Sequence, residues 1–423
     1  MNFKNIKEKY IKKINEINNI GGKVYLVGGG VRDIFLNRRL EDIDFCICNI
    51  TKEDFINIFS RDSVIENINF PVAKYKNAEF SLARTEESTG YGHKDFIIKV
   101  NKNIKIEEDL KRRDITINAM AIDMEDFSCI DIFNAKEDLD KKVIKKVSDK
   151  FVEDPNRAYR AARFAALLNF KIEKETLLKM ASMKENLKHI NVEEVFKELK
   201  KAFSGEVPSN FFRELNNANI LDVHFKEIKD LIGVIQPPDF HPEGDCFEHT
   251  MKVIDLVSKK TKNNITMYAA LCHDLGKAKT PKEILPKHID HEKRGAELVE
   301  NLCNRLKVPK LYKNIALFVT LNHMRIARYN EMKVSKKIDV LDTLNKLNID
   351  VKEIEIIINA DNSMLNTDTY KRPYINYTYD LEKIYKKIDG KYIIKKYNNI
   401  DKTEFKNKLR EERINYYKKN RAN

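Results

Sequence analysis

The chain has 423 residues, 78 Lys and Arg against 65 Asp and Glu, and 42% hydrophobic residues, so it can bury more than one core and roughly two to four domains are expected. No run approaches the ~18 consecutive apolar residues of a membrane span, and the first twenty residues lack the apolar centre of a signal peptide, which predicts a soluble cytoplasmic protein with no membrane partner. The six cysteines make no C-x-x-C pair, which argues against a zinc ribbon and a secreted disulfide framework, and the net charge of 78 − 65 = +13 favours a polyanionic partner, although heavy use of Lys, Ile and Asn raises the charge by composition alone.

Phe3, Ile6, Tyr10, Ile14 and Ile17 recur at spacings of three and four, which predicts an amphipathic helix with a Lys-rich outer face. Residues 23–27 (KVYLV) read as a strand that ends in Gly28-Gly29-Gly30, a helix follows through Asp33, and 43–47 alternate as a second strand. Further strand-like runs cover 78–83, 96–100 and 119–123. From about Ser148 onward helical patterns take over, clearest at 157–168, 187–203, 250–259 and 296–306. Two successive prolines within 233–242 forbid a continuous helix and mark a boundary, and a second boundary follows Leu365. The Lys- and Asn-rich tail beyond it reads as helical, with a solvated or RNA-facing surface.

Several segments carry chemistry. A Gly-rich turn between a strand and a helix lets backbone N–H groups approach a phosphate, and Gly28-Gly29-Gly30 with Arg32 fits that use or a plain tight turn. In Glu41-Asp42-Ile43-Asp44-Phe45, two carboxylates separated by one strand residue share a face, which suggests a hard divalent cation such as Mg²⁺. Arg112 and Arg113 precede a strand-like run. On the helix that follows Pro155, Asp154, Arg157, Arg160 and Arg163 stand three apart in one stripe beside small alanines. Asp154, just before that proline, is equally a helix cap and a ligand-binding group.

Taken in order, LVGGGVRD (26–33), EDID (41–44), LARTE (82–86), EEDLKRRDITINAMAID (107–123), EDPNRAYRAARFAA (153–166), HPEGD (241–245) and ALCHDLGKAKTP (270–281) resemble the bacterial class II tRNA nucleotidyltransferases, the CCA-adding enzymes, in the long form with a C-terminal HD domain. The resemblance implies an α+β head with a mixed or antiparallel sheet, followed by an all-α neck, body and HD domain. It divides the chain into an N-terminal helix (1–22), a nucleotidyltransferase head (23–145), a nucleotide- and RNA-binding neck and body (146–235), an HD phosphohydrolase domain (236–365) and a basic helical tail (366–423). It also implies tRNA, CTP and ATP as partners, in a monomer or homodimer. Asp42 and Asp44 would be the catalytic pair and hold Mg²⁺, one ion activating the 3′-hydroxyl of the tRNA and one binding the triphosphate. Gly29 and Arg32 would cradle phosphates, and Arg113, Arg160 and Arg163 would bind the nucleotide. Asp154 and Arg157 would read the Watson–Crick edge of C or A, where U and G leave buried groups unpaired.

Six of the nine histidines, His241, His249, His273, His288, His291 and His323, fall within 83 positions. The H…HD…D order gives His249, His273, Asp274 and Asp361 as a metal set suited to Ni²⁺, Mn²⁺, Fe²⁺ or Mg²⁺. His291 and His323 are candidate second ligands or phosphate contacts, while His241 and His288 read as structural. Met324 follows His323 where the long-form enzymes are expected to carry Asp. Related domains hydrolyse 2′,3′-cyclic phosphates and phosphomonoesters, which implies tRNA end repair. Competing assignments are a poly(A) polymerase or a partial, A-adding or CC-adding enzyme, and a regulatory HD phosphodiesterase that only binds RNA. Residues 70–96 resemble the flexible loop that full CCA enzymes use to switch from C to A, which argues against a CC-only product.

Overall fold

The computed structural model describes residues 3–40, 42–67, 70–90, 96–238, 244–363, 384–397 and 400–421. Glu41, His241, residues 91–95 of the expected loop and the first part of the tail through residue 383 lie outside the described residues. The chain forms two compact units, 1–223 and 224–423.

The first unit opens with α1 (Phe3–Asn18), whose apolar stripe buries Ile6, Tyr10, Ile14 and Ile17 as the periodicity predicts. Strands β1 (Lys23–Val27) and β2 (Asp44–Cys48) flank α2 (Gly29–Phe35). After α3 (Lys52–Phe59) come β3 (Val64–Glu66), β4 (Val72–Tyr75) and β5 (Ala78–Leu82), and β8 (Ala121–Asp123) and β9 (Cys129–Ile130) complete a seven-stranded sheet ordered β3-β4-β5-β2-β1-β8-β9. Among the described pairings of this sheet, β2–β5 is parallel and the others are antiparallel. Strand alternation sends Phe45 to one face, where it stacks on Phe80 at 4.6 Å and meets Tyr10 of α1 at 5.3 Å. Asp44, Cys46 and Cys48 face the other side, where Leu110 of α4 (Ile106–Lys111) joins the buried cluster. The segment expected as a flexible loop is largely strand: β6 (Arg84–Ser88) and β7 (Phe96–Val100) form an antiparallel hairpin next to β5.

Helix α5 (Ala135–Asp140) leads to a two-stranded parallel pair, β10 (Val143–Ile144) with β11 (Lys171–Ile172), that brackets α6 (Asn156–Leu168). Helices α7 (Lys174–Ser182), α8 (Lys184–Leu187), α9 (Val192–Phe203) and α10 (Ser209–Asn217) complete this part. The run expected as one helix over 187–203 breaks because Asn191 caps α9, its side chain accepting from Glu193 N.

Helix α11 (Leu221–Lys229) carries the chain into the second unit. There α12 (Cys246–Ser258), α13 (Asn264–Cys272), α14 (His291–Arg305), α15 (Lys310–Ala327), α16 (Val334–Leu347) and α17 (Val351–Asn362) form a helical bundle. Helices α18 (Gly390–Lys396) and α19 (Lys402–Arg421) follow, and Tyr417 of α19 packs on Ile338 and Leu341 of α16. The mixed head and helical remainder agree with the expected fold class.

Candidate functional site

In the first unit the register of β1 and β2 sets Val27 opposite Asp44, so the turn at Gly28 meets the head of β2. Gly28 has φ +71°, and a Cβ there would lie 3.0 Å from Arg113 Nη1 and 3.7 Å from Asp44 Oδ2. Glycine therefore lets turn, guanidinium and carboxylate converge. A Cβ on Gly29 would sit 3.4 Å from Arg32 Nη2, and one on Gly30 would sit 3.4 Å from the Asp42 carbonyl. Asp42 does not lie on the strand as expected: β2 begins at Asp44, and Asp42 occupies the exposed segment before it. The shared strand face is thus corrected, but the two carboxylates still sense each other. Burial pushes the Asp44 carboxyl up to about 6, with Arg113 opposing and the negative charges of Glu79 and Asp42 adding to the rise. Glu79, on β5 in register with Asp44, is a third carboxylate that sequence reasoning missed. Carboxylates gathered beside an arginine at the head of β2 suit a hard divalent cation, so the residues present fit Mg²⁺.

The arginines are held by specific acids. Asp109, fully buried on α4, pairs with Arg113 Nη2 at 3.0 Å and Arg112 Nη2 at 2.8 Å. Arg32 donates to Asn118 Oδ1 at 2.6 Å and pairs with Asp33. Arg160 pairs with Asp114 at 2.7 Å, and burial of Asp114 is outweighed by Arg160, which draws that carboxyl down to about 2. Arg163 faces the buried Glu198 of α9 at 2.6 Å. The guanidinium groups of Arg32, Arg160 and Arg163 surround the Phe164 ring, at 5.1, 6.0 and 4.0 Å from its centroid. The stripe on α6 therefore meets Arg32 across one aromatic ring.

Asp154 and Arg157 are both buried. Asp154 Oδ1 accepts from Asn156 N at 3.0 Å, a capping bond at the start of α6. Arg157 donates through Nη1 to the Lys150 carbonyl and through Nη2 to the Arg112 carbonyl, at 3.0 and 2.9 Å. Both terminal nitrogens hold backbone in this state.

In the second unit six side chains converge. His249 lies in the first turns of α12, His273-Asp274 follows α13, His291 opens α14, His323 lies on α15 and Asp361 on α17. Asp274 Oδ2 faces His249 Nε2 at 3.5 Å and His273 Nε2 at 3.2 Å, while Oδ1 faces His291 Nε2 at 3.2 Å and His323 Nε2 at 3.4 Å. Asp361 Oδ1 lies 3.1 Å from His249 Nε2 and 3.9 Å from His273 Nε2. Three imidazoles are oriented from behind: Nδ1 of His273, His291 and His323 donates to the carbonyls of Ala270, His288 and Thr320 at 2.7, 2.8 and 3.0 Å. Since a carbonyl only accepts, each of these rings carries its proton on Nδ1 there and directs Nε2 toward Asp274. His291 and His323 Nε2 even face each other at 3.1 Å. Among the described residues His273 Nε2 has no hydrogen-bond partner, and the Lys277 ammonium lies 2.6 Å from Asp274 Oδ2. Imidazole nitrogens and carboxylate oxygens that converge in this way fit a divalent metal set, in two groups that share Asp274.

Close backbone packing fixes this set. A Cβ on Gly276 would lie 1.9 Å from the His291 carbonyl and 2.5 Å from Gly295 N, so the turn after His273-Asp274 presses directly on α14. Met324 is 42% exposed; the position that departs from the expected Asp turns out to solvent and costs the cluster no ligand. His288 stands beside the cluster rather than in it, as the structural reading expects, with Nε2 bonded to the Ile235 carbonyl at 3.1 Å. Sequence spacing named the H…HD…D set but could not tell whether His291 and His323 join it, because their approach is set by the packing of α14 and α15.

A family model described as the poly A polymerase head domain matches residues 24–145, one described as a probable RNA and SrmB-binding site of polymerase A matches 169–232, and the HD domain model matches 246–344. The fold is that of the Bacillus stearothermophilus CCA-adding enzyme in complex with CTP (20% identity, TM-score 0.64, 92% of this chain and 87% of that one). It is also that of the Thermotoga maritima CCA-adding enzyme complexed with tRNA (19% identity, TM-score 0.62, 97% and 90%). Among curated relatives, the multifunctional CCA protein of Shewanella frigidimarina is 39% identical over 327 residues, 76% of this chain and 78% of the relative. That of Dechloromonas aromatica is 40% identical over 330 residues, 77% and 79%. Similarity of that degree, running through both the head and the HD segment, means that this chain belongs to the multifunctional CCA protein family.

Proposed function

We propose that this chain adds C, C and A in turn to the 3′ end of tRNA from CTP and ATP without a nucleic-acid template, in the cytoplasm, and that its HD unit hydrolyses phosphate esters at damaged tRNA ends. The observation that carries the first activity is the convergence of Asp44, Gly28 and Arg113 at the head of β2, with Asp42 beside them. Magnesium held by Asp42 and Asp44 would supply activation of the 3′-hydroxyl and neutralisation of the triphosphate. The chain's own groups do the rest. Gly29 leaves the turn open for phosphate, Arg32 and Arg113 present positive charge there, and Arg160 and Arg163 extend it along α6. Asp154 and Arg157 read the base edge, Asp154 accepting from an exocyclic amine and Arg157 donating to the adjacent ring nitrogen once released from the carbonyls of Lys150 and Arg112.

Asp274 turns one oxygen toward each histidine pair, so His249, His273, Asp274 and Asp361 would hold one divalent ion and Asp274, His291 and His323 would hold a second. Imidazole and carboxylate donors suit Ni²⁺ or Mn²⁺, and Mg²⁺ less well. Such ions would supply a water nucleophile at neutral pH. Metal analysis should find two equivalents per HD unit, falling to one or fewer in His323→Ala; a single equivalent in the wild type refutes the second ion.

The nucleotidyltransferase assignment is tested by incubating tRNA that lacks its last three nucleotides with CTP and ATP and sizing the product. Extension by three residues, ending in A, supports full CCA addition. Extension by A alone identifies a partial enzyme, and a long A ladder identifies a poly(A) polymerase.

A further inference from the structure

Beside the HD cluster stand nitrogen donors for which the described residues provide no acceptor. Lys277, one turn after Asp274, is buried; its Nζ lies 2.6 Å from Asp274 Oδ2 and donates to Gln236 Oε1 at 2.6 Å. An ammonium only donates, which fixes the Gln236 amide with Oε1 toward the lysine and leaves its third proton unused. Gln236 is fully buried, and its Nε2 has no partner among the described residues. Arg294 lies on α14 three residues after His291, hence on the same helix face. Its buried Nε also lacks a partner among the described residues.

Arg294 is nevertheless held in place, and the direction of each bond can be deduced. The Ile235 carbonyl accepts from His288 Nε2 at 3.1 Å, so His288 Nδ1 is an acceptor and takes the Thr280 hydroxyl proton at 2.7 Å. Thr280 Oγ1 is then left to accept from Arg294 Nη2 at 3.2 Å. His288, in turn, receives His291 Nδ1 on its own carbonyl, which ties the relay to the metal-set histidine. Burial and the charge of Lys277 keep the His288 ring neutral, down to about 4. His288 is thus wiring for Arg294.

We propose that Lys277 and Arg294, positioned by Gln236 and by the Thr280–His288 relay, form the oxyanion subsite that holds the phosphate of the HD substrate. The charge balance favours an anion once metal is bound: Lys277 and Arg294 offset two of the three carboxylates of Asp274, Asp361 and Glu292, the last 3.5 Å from His291 Nδ1, so the first divalent cation turns the pocket net positive. Unused N–H groups on Lys277, Gln236 and Arg294 then match the acceptor oxygens of a phosphate. This inference rests on the HD reading given above, but it makes its own demand on phosphate binding.

The test uses the full chain loaded with Mn²⁺ and inorganic phosphate as the probe, with binding followed by calorimetry and metal content measured in parallel. Arg294→Gln should weaken phosphate at least tenfold with Mn²⁺ per chain and thermal unfolding unchanged. Gln236→Glu, nearly isosteric, should weaken it as well, because the added carboxylate neutralises Lys277. For a nucleoside 2′,3′-cyclic phosphate, Arg294→Gln should raise KM more than it lowers kcat. Phosphate affinity within twofold of wild type in both variants would overturn the subsite, as would absence of phosphate binding by the loaded wild type. Phosphate binding that depends on Arg294 in a protein that hydrolyses nothing would keep the subsite and remove the hydrolase assignment.

Discussion

Single side chains separate structural from functional roles most sharply at Asp154 and Asp114. Asp154 caps Asn156 N, so its loss costs about 1 kcal/mol of stability whatever else it does. If it also reads the base, Asp154→Ala should relax the preference for CTP over UTP several-fold in a protein that still folds; an unchanged ratio leaves it a cap. Asp114 gives a pH-dependent signal. Its carboxyl is held at about 2 by Arg160 against the cost of burial, below the ~3.9 of an unfolded aspartate. Because the folded value is the lower one, the pairing contributes about 2 kcal/mol that is fully present above pH ~4 and lost as pH falls toward about 2. Asp114→Asn should therefore be less stable than wild type by about that amount at pH 7 in urea unfolding, and the two curves should draw together below pH ~4. A gap that persists unchanged in acid would assign the loss to packing.

Elements place these residues, and the Gly276–α14 contact is the most exposed to test. Gly276→Ala drives a methyl against the His291 carbonyl, a backbone atom that cannot rotate away. Either α14 or the turn must move. The expected result is a loss of stability of several kcal/mol, or a folded protein that has lost metal through displaced His291; metal content together with thermal unfolding decides between these, and normal values of both would show that the contact is slack. Elements of this kind were legible in the sequence where the period was long. The five apolar positions of α1 and the KVYLV strand declare themselves. Strands β3 and β4, three and four residues long, give no period to read, and the start of β2 at Asp44 rather than before Asp42 depends on where Val27 and Glu79 find partners in the sheet. The ligand set divided in the same way. His273-Asp274 is visible as a motif, whereas His291, His323 and Arg294 acquire their places only when α14 and α15 pack.

At the scale of the whole molecule, two sets of acids solve the same problem with different partners. Asp42, Asp44 and Glu79 stand among arginines and glycines that suit a triphosphate and a hard cation, and Asp274 and Asp361 stand among histidines that suit a softer one. Each set lies within its own compact unit, so the account requires two independent centres in one chain. The crossed comparison of Asp44→Ala and Asp274→Ala tests that most directly, with addition of CTP and ATP to shortened tRNA and hydrolysis of a 2′,3′-cyclic nucleotide assayed on both proteins. Asp44→Ala should abolish addition and keep hydrolysis, and Asp274→Ala should do the reverse; addition at the wild-type rate by Asp44→Ala, or loss of both activities in either folded variant, would contradict the account.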